Sequence, residues 1–236
     1  MQKILGYLRR AVVDYNMIRP GDRIAVGISG GKDSVALLVG LAQLRRFLGV
    51  PYDLMAVTLD PGFQGRYEDY TPIERLCAQY QVPYEVKRTQ IGEIVFELRQ
   101  ESNPCSLCAK MRRGALHDAA KELGCNKVAL GHHNDDVIET FLMNLYREGR
   151  IGCFQPVTYL SRKDLTMIRP LVYASEKDIA SAVRRNELPV VKSKCPADGN
   201  TGREEMKQFI WETEKKSKGF KQRVFGAIKR AGIDGF

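Results

Sequence analysis

Hydrophobic residues along the chain follow two alternating patterns, short apolar runs and longer stretches with an apolar residue every three or four positions. The short runs predict buried strands, and they lie at 23–28, 53–59, 83–87, 127–130 and 167–170. The longer stretches predict amphipathic helices, and they lie at 2–18, 33–47, 72–80, 106–123 and 135–146, with a further helix starting at Ser175. Strands that alternate with helices predict an α/β fold, a parallel, twisted, Rossmann-like sheet with helices on both faces.

The chain from residue 201 onward has a different character, because its pattern is helical and strongly basic. Between Lys215 and Arg230 it holds no acid and seven basic residues, which are Lys215, Lys216, Lys218, Lys221, Arg223, Lys229 and Arg230. A solvated helix face and a nucleic-acid contact are both compatible with this run. The whole chain carries 37 basic and 28 acidic residues, a formal net charge of +9, which favours a polyanionic partner. We expect one domain over residues 1–200, including the helix at 2–18, and a basic helical segment over 201–236.

The sequence contains no pattern typical of a membrane or secreted protein. Its longest apolar run, at 35–42, is far too short to span a bilayer. The first helix lacks the unbroken apolar block of a signal peptide. We therefore expect a cytoplasmic protein with no membrane partner. A disulfide framework among its six cysteines is not expected, and those with a function should serve as ligands or redox groups.

A glycine-rich turn joins the first predicted strand to the following helix. It reads SGGKDS and consists of Ser29, Gly30, Gly31, Lys32, Asp33 and Ser34. Adjacent glycines let backbone N–H groups approach an anion closely, and the helix start adds further unpaired N–H groups. The lysine supplies a cation and the second serine a hydroxyl. This turn predicts phosphate binding, and its spacing differs from both a Walker A loop and a dinucleotide fingerprint.

A second polar motif, GHHNDD, follows the fourth predicted strand and runs from Gly131 to Asp136. Ligands of α/β proteins bind at the carboxyl edge of the sheet, so this motif is expected beside the first turn. Its two carboxylates, Asp135 and Asp136, suit Mg²⁺ near a phosphate. A helix N-cap at Asp135 is the structural alternative. His132 and His133 can either pack or donate a hydrogen bond to a phosphate.

Three cysteines form the third candidate site. Cys105 and Cys108 lie at the predicted start of a helix, where the thiolate is favoured, and Cys195 precedes a proline. Three thiolates are too few for an all-cysteine zinc site, but they suit a cubane iron–sulfur cluster in which one iron lacks a protein ligand. Zinc with a histidine or Asp198 as the fourth ligand is an alternative, as is a redox-active or persulfide-forming CxxC pair. The core is expected to hold the other three, Cys77, Cys125 and Cys153.

Five motifs together resemble the PP-loop ATP pyrophosphatase family, and within it the tRNA 2-thiocytidine synthetase (TtcA) group and its thiouridine-forming relatives. They are SGGKDS, PCSLCAKMRRG, GHHNDD followed by ETFLMNL, IRPL, and the later Cys195–Pro196. The resemblance covers roughly residues 20 to 205. It implies a PP-loop fold and an enzyme that uses ATP, Mg²⁺ and a three-cysteine [4Fe-4S] cluster. Such enzymes replace the C2 oxygen of a tRNA pyrimidine with sulfur and release AMP and pyrophosphate.

The same resemblance implies a role for each site residue. The residues implied to bind the nucleotide are Ser29, Gly30, Gly31, Lys32, Asp33, Ser34, Thr58, Leu59, Gly131 and His132. Those implied in catalysis are Asp33, Asp135, Asp136 and Arg112. The implied cluster ligands are Cys105, Cys108 and Cys195. In this arrangement the carboxylates hold Mg²⁺ or position the acceptor, and the arginine faces the phosphates or the tRNA.

Two departures from the family pattern bear on the target base. Many thiocytidine synthetases have a further cysteine three residues after the third ligand, where this chain has Asp198. The zinc-binding cysteine pairs of the thiouridine-forming relatives are absent from both ends of the sequence. We expect 2-thiocytidine formation at cytidine 32 of tRNA, with 2-thiouridine formation or lysidine synthesis as alternatives. The expected partners are tRNA and a sulfur donor, either a cysteine desulfurase or inorganic sulfide, and a homodimer is an alternative to a monomer.

Overall fold

The computed structural model describes residues 1–99, 104–191, 195–197 and 202–236. In these residues the strands are β1 (Asp22–Ile28), β2 (Tyr52–Asp60), β3 (Tyr84–Arg88), β4 (Lys127–Ala129), β5 (Val157–Leu160) and β6 (Leu165–Ile168). The helices are α1 (Gln2–Asp14), α2 (Lys32–Leu44), α3 (Thr71–Gln79), α4 (Ile91–Glu93), α5 (Pro104–Glu122), α6 (Asn134–Glu148), α7 (Glu176–Arg185), α8 (Gly202–Lys216) and α9 (Phe220–Arg230). A π-helical stretch over Ile94–Leu98 continues α4, and short 3₁₀ turns lie at Phe63–Gly65 and Ile233–Gly235.

The strands form one sheet in the order β3-β2-β1-β4-β6-β5. Neighbouring strands from β3 to β6 are parallel, as predicted, and each predicted strand is found within two residues of its expected place. The edge strand β5 was not predicted, and it pairs antiparallel with β6. It is short and lies at the sheet edge with half-exposed side chains, so it lacks the apolar run that marks the central strands.

Helices cover both faces of the sheet, which confirms the predicted architecture. On one face α2 is buried along most of its length, and Leu37, Leu38 and Leu41 are fully inaccessible to solvent. On the other face Leu116 and Ala120 of α5 pack with residues of β1 and β2 in a second apolar cluster. The central strands are therefore buried from both sides, which explains their unbroken apolar sequences.

Some helix ends differ from the predicted ones. The first helix ends at Asp14 rather than at residue 18, because Asn16 takes a left-handed conformation with φ of 47°. Met17 and Ile18 are nevertheless buried, so their apolar character reflects core packing beyond the helix. The predicted helix start at Ser175 is confirmed, since its Oγ accepts a hydrogen bond from the Asp178 N–H at 3.1 Å.

The basic C-terminal segment packs on the rest of the molecule through an apolar contact with α6. Met206 and Ile210 of α8 join Ile138 and Leu142 of α6 in one buried cluster. Ile228 of α9 belongs to the main core. The division of the chain at residue 200 stays a prediction. Across the described residues, no helix combines the length and apolarity that crossing a membrane requires.

Candidate functional site

The turn between β1 and α2 has a backbone shape that requires glycine. Gly30 has a φ of 82°, and its carbonyl accepts a hydrogen bond from the Val191 N–H at 3.0 Å. A Cβ at Gly30 would lie 2.9 Å from the Val191 carbonyl oxygen. Gly31 is the N-cap of α2, and no described side chain caps the first turn. The N–H groups at this helix start are therefore available to an anion.

Replacing Gly30 with alanine should destabilise the protein. The left-handed conformation costs a residue with a Cβ about 1–3 kcal/mol, and the added methyl group must also displace Val191. In a chain of this size, each kcal/mol lowers the melting temperature by roughly 2–4 °C, which calorimetry measures directly.

The matched control is Gly6→Ala in the middle of α1, where a Cβ would meet no atom within 4 Å. That change should raise stability by about 0.5–1 kcal/mol, since alanine favours a helix interior over glycine. Equal melting temperatures for the two variants would contradict the assigned shape of the turn.

Lys32 and Asp33 open α2 and form one charged group with Glu176 of α7. The Lys32 Nζ lies 3.1 Å from the Asp33 Oδ2 and 2.9 Å from the Glu176 Oε1. Burial would lower the pKa of Lys32, but the hydrogen bond to Glu176 and the two carboxylate charges raise it above its ordinary value. Lys32 therefore stays protonated and is held at the turn.

The other oxygen of Asp33 is free. The Oδ1 atom is buried and has no hydrogen-bond partner among the described residues. The His133 Nε2 lies 3.8 Å away. A buried carboxylate oxygen without a partner is costly, and carboxylate oxygens are preferred ligands of Mg²⁺. This atom therefore has the chemistry of a magnesium ligand beside the phosphate-binding turn.

The GHHNDD loop lies against the turn, as predicted. A Cβ at Gly131 would lie 3.1 Å from backbone atoms of both Asp33 and Ser34, so the two loops touch through a glycine. The N-cap of α6 is His133, whose Nδ1 accepts from the Asp136 N–H while the Asp136 carboxylate accepts from the His133 N–H. The alternative that made Asp135 the N-cap is therefore wrong.

Asp135 instead joins this loop to two distant parts of the chain. It is 6% exposed, and its Oδ2 accepts from the Glu176 N–H at 2.7 Å. Its Oδ1 accepts from the Lys221 Nζ of α9, also at 2.7 Å. Burial raises the pKa of Asp135, and these two hydrogen bonds with the Lys221 charge more than reverse that effect, so the pKa lies below its ordinary value. Asp135 is ionised and fully engaged.

Cations of the C-terminal helices compensate other acids near the turn as well. The Arg203 Nε lies 3.0 Å from the Glu139 Oε2, and the Lys207 Nζ lies 3.9 Å from the Glu176 Oε1. Lys221 belongs to the basic run of the sequence, yet its ammonium group is bound to Asp135 within the protein, although the side chain is partly exposed. Part of the C-terminal charge therefore organises the loops.

Lys221→Met should destabilise the protein because it leaves a buried carboxylate without its cation. The side chain of Lys221 is 39% exposed and that of Asp135 8%. The loss of folding free energy should therefore lie between that of a surface ion pair and that of a buried pair, about 2 kcal/mol at neutral pH. The pKa of Asp135 is lowered in the folded protein, so the pair stabilises it above the carboxylate's ordinary pKa. The difference from the unmodified protein should shrink as the pH falls below about 4.

Urea unfolding at several pH values measures this difference. Lys218→Met serves as the control, because Lys218 is exposed in the same segment. An equal stability loss in both variants, or a loss that does not depend on pH, would contradict the role of the pair.

A cavity of about 460 Å³ opens at the carboxyl edge of the sheet, next to the turn. Its apolar wall comes from strand ends and α5 and consists of Gly27, Ile28, Val57, Leu59, Leu116 and Leu130. Its cationic wall consists of Arg112, Arg113, Arg169 and Arg203. A flat apolar group and an anion can therefore bind side by side in it.

The cavity includes only part of the predicted site. Ser29, Leu59, His132 and Arg112 line it. The side chain of Thr58 is buried away from it, since the Thr58 Oγ1 accepts from the Tyr84 hydroxyl at 2.8 Å, which leaves only its backbone for a nucleotide. The carboxylates predicted to be catalytic, Asp33, Asp135 and Asp136, are not among the residues that line the cavity.

Residues that the sequence did not single out also line the cavity. The Phe154 ring lies 5.0 Å from the His132 ring and 4.9 Å from the Arg169 guanidinium. The Arg169 Nε donates to the His132 Nδ1 at 3.3 Å. Burial lowers the pKa of His132 to about 4, so this imidazole is neutral. The motif IRPL contains Arg169, but the direction of its side chain depends on how β6 ends.

The three predicted cluster ligands lie near one another beside the cavity. Cys108 and Cys195 share an apolar cluster with Phe63 and Val95, and all three thiols are free. Burial raises the pKa of Cys108, the Arg112 charge opposes that rise, and the other two thiols add to it. Charge effects of one thiol on the pKa of another act over short distances, which agrees with three thiols that lie near one another. Among the described residues, no group of three or more His, Cys, Asp or Glu side chains is arranged so that it could hold a metal ion, and the three thiols do not form such a group in this structure. Asp198, the alternative zinc ligand, lies outside the described residues.

An open parallel sheet, a glycine-rich loop at a helix start and an acidic motif at a neighbouring strand end together define a nucleotide-binding domain of the PP-loop class. A family model described as a PP-loop domain matches residues 6–214. The U34-tRNA thiolase NcsA from Methanococcus maripaludis, solved with its [4Fe-4S] cluster, superposes with a TM-score of 0.76 at 24% identity, over 97% of this chain and 78% of that one. This similarity concerns the fold.

Sequence comparison narrows the class. A tRNA-cytidine(32) 2-sulfurtransferase from Geobacter sulfurreducens is 40% identical over 230 residues, which cover 96% of this chain and 89% of the relative. Another, from Pelobacter propionicus, is 43% identical over 208 residues, which cover 87% and 77%. The chain belongs to the tRNA-cytidine(32) 2-sulfurtransferase family of PP-loop proteins. The resemblance drawn from the sequence motifs is confirmed.

Proposed function

We propose that this protein uses ATP to convert cytidine 32 of tRNA into 2-thiocytidine. The C2 oxygen of the base attacks the α-phosphate of ATP, which forms an adenylated base and releases pyrophosphate. Sulfide sulfur then attacks C2, and AMP leaves with the former C2 oxygen. ATP, cytidine and sulfide are thus converted into AMP, pyrophosphate and 2-thiocytidine, with no net oxidation or reduction.

One observation carries this proposal: helix α5 connects the nucleotide cavity with two of the three thiols, Cys105 and Cys108. Cys105 and Cys108 lie on the first turn of this helix, and Arg112 and Leu116 line the cavity one and two turns further on. Residues at this spacing share one helix face. Arg112 lines the cavity and also acts on the pKa of Cys108. A base in the cavity would therefore lie between the phosphate turn and the thiols.

The nucleotide site supports the ATP-dependent half of the reaction. The uncapped first turn of α2 and the charged Lys32 suit the phosphates of ATP. The free Oδ1 of Asp33 suits Mg²⁺, which neutralises the phosphates. The apolar wall, including Val57 and Leu59, suits the adenine. Asp135 and Asp136 orient the loops, since both are already engaged by hydrogen bonds.

The donor set supports an iron–sulfur cluster held by Cys105, Cys108 and Cys195. All three thiols are free, and Cys108 and Cys195 lie in one small apolar cluster of side chains. Thiolates are the usual ligands of iron–sulfur clusters. When bound, a [4Fe-4S] cluster with three protein ligands offers one iron to an external sulfur atom. Burial raises the pKa of Cys108, and the positive charge of Arg112 offsets part of that rise in favour of the thiolate form that ligation requires.

The proposed partners are tRNA and a sulfur donor, either inorganic sulfide or a cysteine desulfurase. We place the reaction in the cytoplasm, and a homodimer stays a prediction. The number of basic residues, 37 against 28 acids, supports binding to a polyanion.

Nucleoside analysis by mass spectrometry tests the function. Anaerobically purified protein reconstituted with iron and sulfide is incubated with ATP, Mg²⁺, sulfide and a tRNA transcript carrying C32. We expect 2-thiocytidine with one AMP per modified base, and no product from a transcript in which C32 is replaced by adenosine. Formation of 2-thiouridine or lysidine, or ADP as the main nucleotide product, would contradict the proposal.

A further inference from the structure

Arg169 is a buried cation that has no acidic partner. It is 6% exposed and follows β6 at the cavity wall. Its Nη1 donates to the Gln155 carbonyl and to the Thr158 Oγ1, and its Nε donates to the neutral His132. None of these acceptors carries a negative charge, and no carboxylate among the described residues pairs with it. The charge of Arg169 is therefore uncompensated.

One nitrogen of this guanidinium also has N–H groups that can still donate hydrogen bonds. The Nη2 carries two N–H groups, and its one described acceptor is the Met167 Sδ at 3.6 Å. A thioether is a weak hydrogen-bond acceptor. Because the other two nitrogens are committed to neutral oxygen or nitrogen atoms, the Nη2 is the part of Arg169 best able to bind a ligand from the cavity.

A second guanidinium stands close by. Arg113 of α5 lines the same cavity and is exposed to solvent. Burial first, and then the charge of Arg113, lower the pKa of Arg169 to about 10, so Arg169 remains charged at neutral pH. The two positive charges repel each other, and the burial of one of them carries a desolvation cost. An anion bound between them would reduce both the repulsion and the desolvation cost.

The reactants of the proposed reaction limit which anion can bind between these two arginines. The phosphates of ATP have their own site at the uncapped start of α2, with Lys32 held there by Glu176. Phosphodiester groups of the tRNA are the other anions that must enter with the base. Arginine pairs bind phosphate oxygens through parallel N–H groups.

We propose that Arg113 and Arg169 form a subsite for a backbone phosphate of the tRNA next to the target base, separate from the ATP phosphate site. This inference rests on the proposed function. The exposed Arg113 meets the incoming phosphate, and the buried Arg169, fixed by His132, Gln155 and Thr158, sets its position. The subsite thereby holds the flipped nucleotide at the cavity by its backbone rather than by its base.

Binding measurements without turnover test the subsite. The variants are Arg113→Gln and Arg169→Gln, and the control is Arg184→Gln at an exposed arginine of α7. Filter binding gives the Kd of a tRNA transcript over a range of salt concentrations, and equilibrium dialysis gives the Kd of ATP. Since Arg169 is buried, its variant is used only if its melting temperature matches that of the unmodified protein. Arg113 is exposed, so Arg113→Gln carries the test in any case.

We expect Arg113→Gln to weaken tRNA binding about tenfold and to reduce the slope of log Kd against log salt by about one, the loss of one phosphate contact. ATP affinity should stay the same, and Arg184→Gln should change neither. Loss of ATP affinity, or unchanged tRNA affinity, would overturn the subsite while leaving the thiolation reaction in place. An unmodified protein that bound ATP but no tRNA would overturn the proposed function itself.

Discussion

Asp33→Asn is expected to reduce formation of AMP and pyrophosphate by about 10²–10³-fold, the usual loss when one electrostatic contact to a reacting group is removed. The Asp33 Oδ1 is buried without a hydrogen-bond partner among the described residues, and it lies at the start of the helix that is expected to hold the phosphates. Asparagine keeps the shape but removes the charge that binds Mg²⁺. Pyrophosphate release in the presence of tRNA measures the effect.

The Asp33 variant should fold normally, because asparagine can still accept the hydrogen bond of Lys32 at 3.1 Å. Its activity should recover in part at high Mg²⁺, since a weaker site is filled by mass action. Asp69→Asn is the matched control, because Asp69 is an exposed turn residue that accepts from the Thr71 N–H. Unchanged pyrophosphate release by the Asp33 variant would show that this carboxylate takes no part in the reaction of ATP.

Cys195→Ala is expected to abolish the iron and acid-labile sulfide content of anaerobically reconstituted protein, together with its brown absorbance. Cys195 packs at the apolar cluster of Cys108, and we propose that it is the third ligand beside Cys105 and Cys108. Two thiolates cannot hold a cubane cluster. Iron and sulfide assays with a visible spectrum measure the loss.

Cys153→Ala is the matched control for the cluster. The Cys153 Sγ contacts the Phe154 carbonyl at 3.7 Å, and this residue packs against the main core rather than at the apolar cluster of Cys108 and Cys195. This variant should keep the full chromophore. Equal loss of iron in both variants, or tightly bound zinc without iron, would disprove the assigned ligand set.

Local patterns of the sequence were sufficient to predict most of the architecture. The run at 23–28, the paired glycines after it and the periodic stretch that follows correspond to β1, the turn and α2. The N-cap at Ser175 was predicted correctly from the residues that follow it in the sequence. The unpredicted strand β5 shows the limit, because its pairing with β6 depends on a partner rather than on its own apolar residues.

The candidate site was predictable where backbone chemistry fixes it. At Gly30 the backbone has a positive φ and lies close to Val191. Both features require a residue without a Cβ, which is glycine. The proximity of the GHHNDD loop followed from parallel strands that end at the same edge of the sheet. The alternative N-cap at Asp135 was wrong because α6 begins two residues earlier, where His133 accepts a hydrogen bond from the Asp136 N–H.

The sequence by itself determined the order of strands and helices, the phosphate-binding turn and the family, because side-chain period, glycine conformation and motif spacing are local properties. The tertiary structure decided which charges meet. Lys221 is one cation in a basic run, and only the packing of α9 brings it to Asp135, 86 residues earlier in the chain. Likewise, only the end of β6 directs Arg169 into the cavity, where no carboxylate of the described residues pairs with it. The sequence does not show which way a charged side chain faces. The energy of that charge depends on its burial and on its partners, which only folding determines.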